Sequence, residues 1–190
     1  MDTKLLIGGD LVDAENGAVF DNINPATEEV IGQLADATPA DMRRAIAAAR
    51  TAFDTTDWST NHAFRKACLL QLQAAIEGEQ EEFRQELIAE VGCPLLLTYG
   101  PQLDAPLREA LIWPAEQIET FPWRRSIGTK DAMGVGYETE REVWKEAAGV
   151  VGVIVPWNFP MEITLNKLGP VLAMGNTCIL KAAPDTSATA

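Results

Sequence analysis

Two polar side chains stand where a ligand could meet them. Asn158 lies in "PWNFP", directly after the apolar run "GVVGVIV" of Gly149 to Val155, and Lys181 closes "TCILK". On its own, an asparagine at a strand–helix junction most often caps the helix. The end of the second strand in a dinucleotide-binding unit meets the adenosine ribose. A lysine there donates to ribose hydroxyls and tolerates a 2′-phosphate. Other chemistries are excluded. The three cysteines, Cys68, Cys93 and Cys178, form no CxxC pair and no disulfide framework. The single histidine, His62, reads as a surface residue near a helix start, so no histidine-based metal site and no Ser-His-Asp triad can be drawn. The charged run "EGEQEEFRQE", Glu77 to Glu86, reads as a solvated helix face with i,i+4 pairs.

The elements around these residues read as a strand-helix-strand unit over 149–181. "GVVGVIV" is apolar on both faces, which suits a central parallel strand covered by helices on both sides. The following helix carries Met161, Leu165, Leu168 and Leu172 on one face, and Gly175 suits its left-handed stop. Such a right-handed crossover binds ligands beyond the carboxyl ends of its strands. The GxGxxG fingerprint is absent.

Upstream, residues 4–35 read as short strands, with a hairpin at "LLIGGDLV". A helix begins where Thr38 caps, Pro39 opens and Asp41 meets the dipole, with Met42, Ile46, Ala49 and Phe53 on one face. A second runs from about Asn61 to Gly92, weakened at Gly78. A third spans Gln102 to Thr120, with Pro114 as its break. Residues 122–136 read as loop. "YETEREVWKEAAG" reads as a strand running straight into 149–155. The class is α/β.

Composition sets further bounds. The 190 residues, 47% of them hydrophobic, suit one domain or part of a larger one. The formal charge of −13 repels nucleic acid. The longest uncharged run, Ala147 to Met161, holds two prolines and is too short to span a bilayer. No membrane partner is expected, and the acidic balance suits a cytoplasmic location.

"PWNFP" followed by "KLGPVLAMGNTCILK" resembles the aldehyde dehydrogenase superfamily. The likeness covers nearly the whole chain: the segment from "IGGDLV" to "RTAFD" is similar to that family's N-terminal hairpin and first helix, and "REVWKEAAGVVGVIVPWNFP" to its interdomain strand entering the cofactor sheet. "LKAAPDTSATA" is similar to an "LKPAPDTP" form of some bacterial members. The resemblance implies a partial cofactor-binding domain over 1–190: hairpin and helices at 1–121, an assembly strand at 137–148, and an incomplete Rossmann-like parallel sheet at 149–181.

It further implies NAD(P)-dependent oxidation of an aldehyde to a carboxylic acid, through a cysteine nucleophile. Asn158 would be half of an oxyanion hole. Ile154, Val155, Pro156 and Trp157 would line the nicotinamide and ribose side of NAD or NADP, and Lys181 would bind the adenosine ribose. Residues of the 102–120 helix and near Met161 would line the mouth of the substrate channel. Pro184 stands where many members carry a ribose-gripping glutamate, and Ala182 replaces a common proline. The nucleophile and general base are expected downstream of Ala190, which leaves the isolated chain inactive. The full-length enzyme is expected to be a homo-oligomer. Two other readings stay open: a non-catalytic nucleotide-binding or subunit-interaction fragment, and a remnant of a disrupted gene with exposed sheet edges and poor stability.

Overall fold

The computed structural model describes residues 3–131, 134 and 136–190. Strands β1 (Leu5–Ile7) and β2 (Asp10–Val12) form the expected antiparallel hairpin around Gly8 and Gly9. Strands β3 (Val19–Ile23) and β4 (Val30–Ala35) make a second antiparallel pair. Helix α1 (Pro39–Thr55) starts at a capping box. The Thr38 hydroxyl accepts from the N–H groups of Ala40 and Asp41, and the Asp41 carboxylate accepts from the Thr38 N–H at 2.9 Å. The backbone N–H groups of Thr38 and then Glu15 hold the Asp41 carboxyl below its ordinary value.

Helices α2 (His62–Gly78) and α3 (Gln80–Val91) divide at Gly78, where the sequence weakens. The charged run here is not all solvated. Arg84 is buried, donating to Glu81, Thr98 and Asp104 and lying 4.1 Å from the Tyr99 ring centroid. The short helix α4 (Leu95–Thr98), which carries no clear signal in the sequence, packs on α3 and supplies that Thr98 hydroxyl. A guanidinium satisfied on all sides tolerates burial.

The expected third helix is two, α5 (Asp104–Glu109) and α6 (Ile112–Thr120). The break falls at Ala110–Leu111 rather than at Pro114. Pro114 sits in the first turn of α6, where a backbone N–H has no partner within the helix to lose. Residues 122–136 are not a loop throughout. Strand β5 (Arg124–Asp131) pairs antiparallel with β6 (Glu138–Trp144), and residues 132, 133 and 135 lie outside the described residues. Every residue of β5 is exposed, so pairing rather than burial holds it, and no apolar alternation marks it.

Strand β6 stops at Trp144 and belongs to a different sheet from β7 (Val150–Ile154), which corrects the single continuous strand read from the sequence. Helix α7 (Pro160–Ala173) leads to β8 (Thr177–Lys181), parallel to β7 in register from Val150↔Thr177 to Ile154↔Lys181. Gly175 has φ +84°, and a Cβ there would lie 3.0 Å from the Ser59 carbonyl oxygen, so both conformation and space require glycine. A single 3₁₀ turn, Pro184–Thr186, follows.

The core is helical. Leu69, Leu87, Leu103, Leu107, Leu111 and Ile118 pack with Met161 and Leu165 of α7. At Gly169 a Cβ would lie 2.1 Å from the Ala110 carbonyl oxygen, so α7 is seated in the break between α5 and α6. The parallel pair is less covered than expected. Helices α1 and α7 pack on it and Val153 and Val155 are buried, but Gly152 and Ile154 stay exposed. Among the described residues β7 has one neighbouring strand, so its far edge pairs with no second strand. The apolar face of α1 is likewise half open, with Met42 and Ile46 exposed.

Candidate functional site at the strand ends

The register places Ile154 beside Lys181 at the carboxyl ends of β7 and β8, on one face. Ile154 is 74% exposed, and Lys181 is exposed beside it. Val155 turns the other way. Its side chain is 3% exposed and belongs to the core, and its N–H donates to the Lys181 carbonyl at 3.2 Å, one bond beyond the strand. Val155 therefore offers a ligand neither its side chain nor its N–H. Pro156 is half-buried, while Trp157, 59% exposed, and Asn158 face solvent.

The Asn158 side chain caps nothing. The N-cap of α7 is Phe159, without a side-chain bond, and among the described residues the Asn158 amide makes no hydrogen bond. It is a donor with no internal partner. Its backbone is anchored instead: Gln102 Nε2 donates to the Asn158 carbonyl at 2.9 Å. Pro156 and Pro160 fix φ on either side of the turn. Gln102 escaped the sequence reading because it sits in a turn before α5, where no periodicity points inward.

Asn176 ties the unit together and was equally unread. Its Oδ1 accepts from the N–H groups of Ala148 at 2.7 Å and Gly149 at 3.1 Å, and its Nδ2 donates to Val171 O at 3.1 Å. Trp58 Nε1 donates to its backbone oxygen at 2.9 Å. The start of β7 is thus bolted to the α7–β8 turn, and Thr177 Oγ1, donating to Ala49 O at 2.9 Å, adds α1. Further in, Arg65 is fully buried and donates to the Ala173 and Trp58 carbonyls at 3.2 and 2.7 Å.

Trp157 also borders an open groove of about 520 Å³, with Phe20, Ile23, Glu90 and Pro184 in its walls. Glu90 is 2% exposed. Its carboxylate accepts from Asn22 Nδ2 at 2.9 Å, from the N–H groups of Ala188 and Thr189 at 3.0 and 2.9 Å, and from the Thr189 hydroxyl. It locks the segment after the 3₁₀ turn onto β3 and α3.

Burial pushes the Cys93 and Cys178 thiols up, the direction that suppresses thiolate, and Cys68 is half-buried on α2. His62 is half-buried rather than on the surface, its ring 4.5 Å from that of Trp123. Burial, and then the Arg65 charge, push its pKa down. Among the described residues no group of His, Cys, Asp and Glu could hold a metal, and no helix is long and apolar enough to cross a membrane. The donor set fits part of a dinucleotide. An exposed ammonium suits ribose hydroxyls, and the exposed Ile154 and Trp157 surfaces suit apolar rings.

The family model described as "Aldehyde dehydrogenase family" matches residues 11–190. The chain belongs to this family. It is 35% identical to aldehyde dehydrogenase family 2 member B4, mitochondrial, of Arabidopsis thaliana, over 99% of this chain and 34% of that protein. It is 31% identical to the NADP/NAD-dependent aldehyde dehydrogenase PuuC of Escherichia coli, over 95% and 35%. The crystal structure of an NAD-dependent aldehyde dehydrogenase from Sinorhizobium meliloti superposes with a TM-score of 0.87 at 30% identity, over all of this chain and 36% of that one. The chain thus spans about a third of the length of the curated relatives it matches.

Proposed function

We propose that this chain is the oxyanion-binding and part of the cofactor-binding share of an NAD(P)-dependent aldehyde dehydrogenase. In this reading the whole protein oxidises an aldehyde to a carboxylic acid. One observation carries the reading: a partnerless, exposed Asn158 amide stands in the turn that follows β7, whose end carries the exposed Ile154 and Lys181 pair. A donor held ready, with no internal bond to break, stabilises an aldehyde oxygen as it gains charge, by about 3–4 kcal/mol for donors of this kind. The bound nicotinamide supplies the hydride acceptor. Ile154, Trp157 and the half-buried Pro156 give it an apolar wall, the buried Val155 supports that wall from the core, and Lys181 donates to the adenosine ribose. Pro184 leaves no carboxylate where many members grip the ribose hydroxyls, so NADP is accepted as well as NAD. With two thiols pushed up by burial, these residues supply binding and orientation rather than the nucleophile.

Asn158→Ala and Lys181→Met in the whole protein test the reading by steady-state kinetics. The first is expected to lower kcat by about 10²–10³-fold with cofactor KM unchanged. The second is expected to raise cofactor KM with kcat nearly intact. Asn158→Ala at wild-type kcat refutes the oxyanion role.

A second reading concerns assembly. Strands β5 and β6 form a hairpin whose first strand is exposed throughout, which supports an arm that pairs with another subunit of a homo-oligomer. Sedimentation of the whole protein with proline at Ile127 tests it; an unchanged oligomer counts against the arm. The acidic charge and the free cysteines suit a reducing compartment such as the cytoplasm.

A further inference from the structure

Gln102 is 4% exposed, and its Nε2 reaches across the chain to the Asn158 carbonyl at 2.9 Å. Its Oε1 is buried with no hydrogen-bond partner. Burying half an amide unsatisfied is costly. A leucine of similar volume would fill the space without that cost, so packing alone does not account for a glutamine. What the glutamine adds is one bond to the peptide plane that follows Asn158. The Asn158 side chain makes no bond of its own, and Phe159 gives no side-chain cap, so the orientation of the amide depends on its backbone.

We propose that Gln102 is a positioning residue for the oxyanion donor. By drawing the Asn158 carbonyl inward, it aims the amide on the same residue outward at the reacting oxygen. The proposal rests on the oxyanion reading of Asn158. Gln102 itself touches neither substrate nor cofactor.

The test is a double-mutant cycle on the whole protein with Asn158→Ala and Gln102→Leu, plus the single variant Gln102→Glu. Asn158→Ala is expected to lower kcat about 10²–10³-fold, and Gln102→Leu on the order of 10–100-fold, with cofactor KM unmoved. In the Asn158→Ala background, Gln102→Leu has no further effect on kcat, because there is no amide left to aim. In Gln102→Glu an ionised carboxyl repels the Asn158 carbonyl and a protonated one donates to it, so kcat relative to wild type rises as pH falls. Should Gln102→Leu not fold, Gln102→Glu taken in both backgrounds carries the test: recovery at low pH is expected with the Asn158 amide present and not in Asn158→Ala.

A merely structural glutamine lowers kcat by the same factor in both backgrounds, and its Gln102→Glu variant recovers at low pH in both; either result overturns the proposal. If Asn158→Ala itself keeps wild-type kcat, the oxyanion reading fails and the proposal with it. If Asn158→Ala is impaired and the two losses multiply, the oxyanion reading stands and only the role of Gln102 falls.

Discussion

Gly169→Ala sets two known effects against each other, and the structure decides the sign. Gly169 lies inside α7, where alanine is favoured over glycine by about 1 kcal/mol. If nothing pressed on the site, the substitution would stabilise. The new Cβ, however, would sit 2.1 Å from Ala110 O, 3.1 Å from Pro114 Cγ and 3.2 Å from Ala110 C. The nearest atom is backbone and cannot rotate away. Restoring ordinary contact requires α7 to move by roughly 1 Å or more from the α5–α6 break. Overpacking of this kind costs about 1–3 kcal/mol, and more against rigid backbone. Taking about 3 kcal/mol against the 1 kcal/mol gain leaves a net loss of about 2 kcal/mol. That corresponds to a fall in Tm of about 4–8 °C for a domain of this size. Urea unfolding followed by tryptophan fluorescence reads it, since Trp123 packs against the core. The midpoint should fall with the slope unchanged. Because α7 begins at the Asn158 turn, the same shift should lower kcat in the whole protein. A variant as stable as wild type, or more so, would mean that α7 is not seated against Ala110 as described.

Further outcomes follow from other contacts. Asn176→Ala leaves the Ala148 and Gly149 N–H groups unpaired and should cost at least about 2 kcal/mol; Asn176→Asp, which keeps the acceptor, should cost less in the same urea titration. Glu90→Ala should speed amide exchange at Ala188 and Thr189, read by mass spectrometry, with α1 amides unaffected. Thr38→Ala should cost about 1 kcal/mol through loss of the cap. His62 gives a pH dependence whose sign is set by its environment: the folded pKa is pushed down, so below the ordinary value of 6.5 the unfolded chain takes up a proton that the folded one resists. Stability should therefore decline as pH falls from 7 through 6.5 toward the folded pKa, and His62→Phe should flatten that part of the curve; an unchanged slope in the variant would assign it elsewhere.

Local signals were legible in the sequence. The Gly8–Gly9 hairpin, the Thr38 cap and the Gly175 stop each depend on a few neighbouring residues, and each formed, while the weak point read at Gly78 became a full division between two helices. The parallel unit over 149–181 was readable because its two strands and helix carry distinct apolar patterns. What escaped depends on partners distant in sequence. Arg84 and Glu90 look solvated on a helix until Thr98, Asp104, Asn22 and Thr189 fold over them. Strand β5 has no apolar face to betray it. Of the six site residues read from sequence, Val155 is the one whose side chain turned out to lie in the core, because alternation along β7 carries one residue past the strand. Asn158 was readable as a helix cap or as a ligand donor; its vacant amide leaves the first of these unrealised.

The Glu90 lock also sets an order in time. Its carboxylate is buried by α3 and β3, yet two of its donors lie 98 and 99 residues further along the chain. During synthesis at about 5–20 residues per second, Glu90 emerges roughly 5–20 s before Thr189 exists to meet it. Through that interval Asn22 can donate to the carboxylate, but the bonds later made by Ala188 and Thr189 are left to water. The last residues made are thus the ones that replace that water, Ala188 with one bond and Thr189 with two.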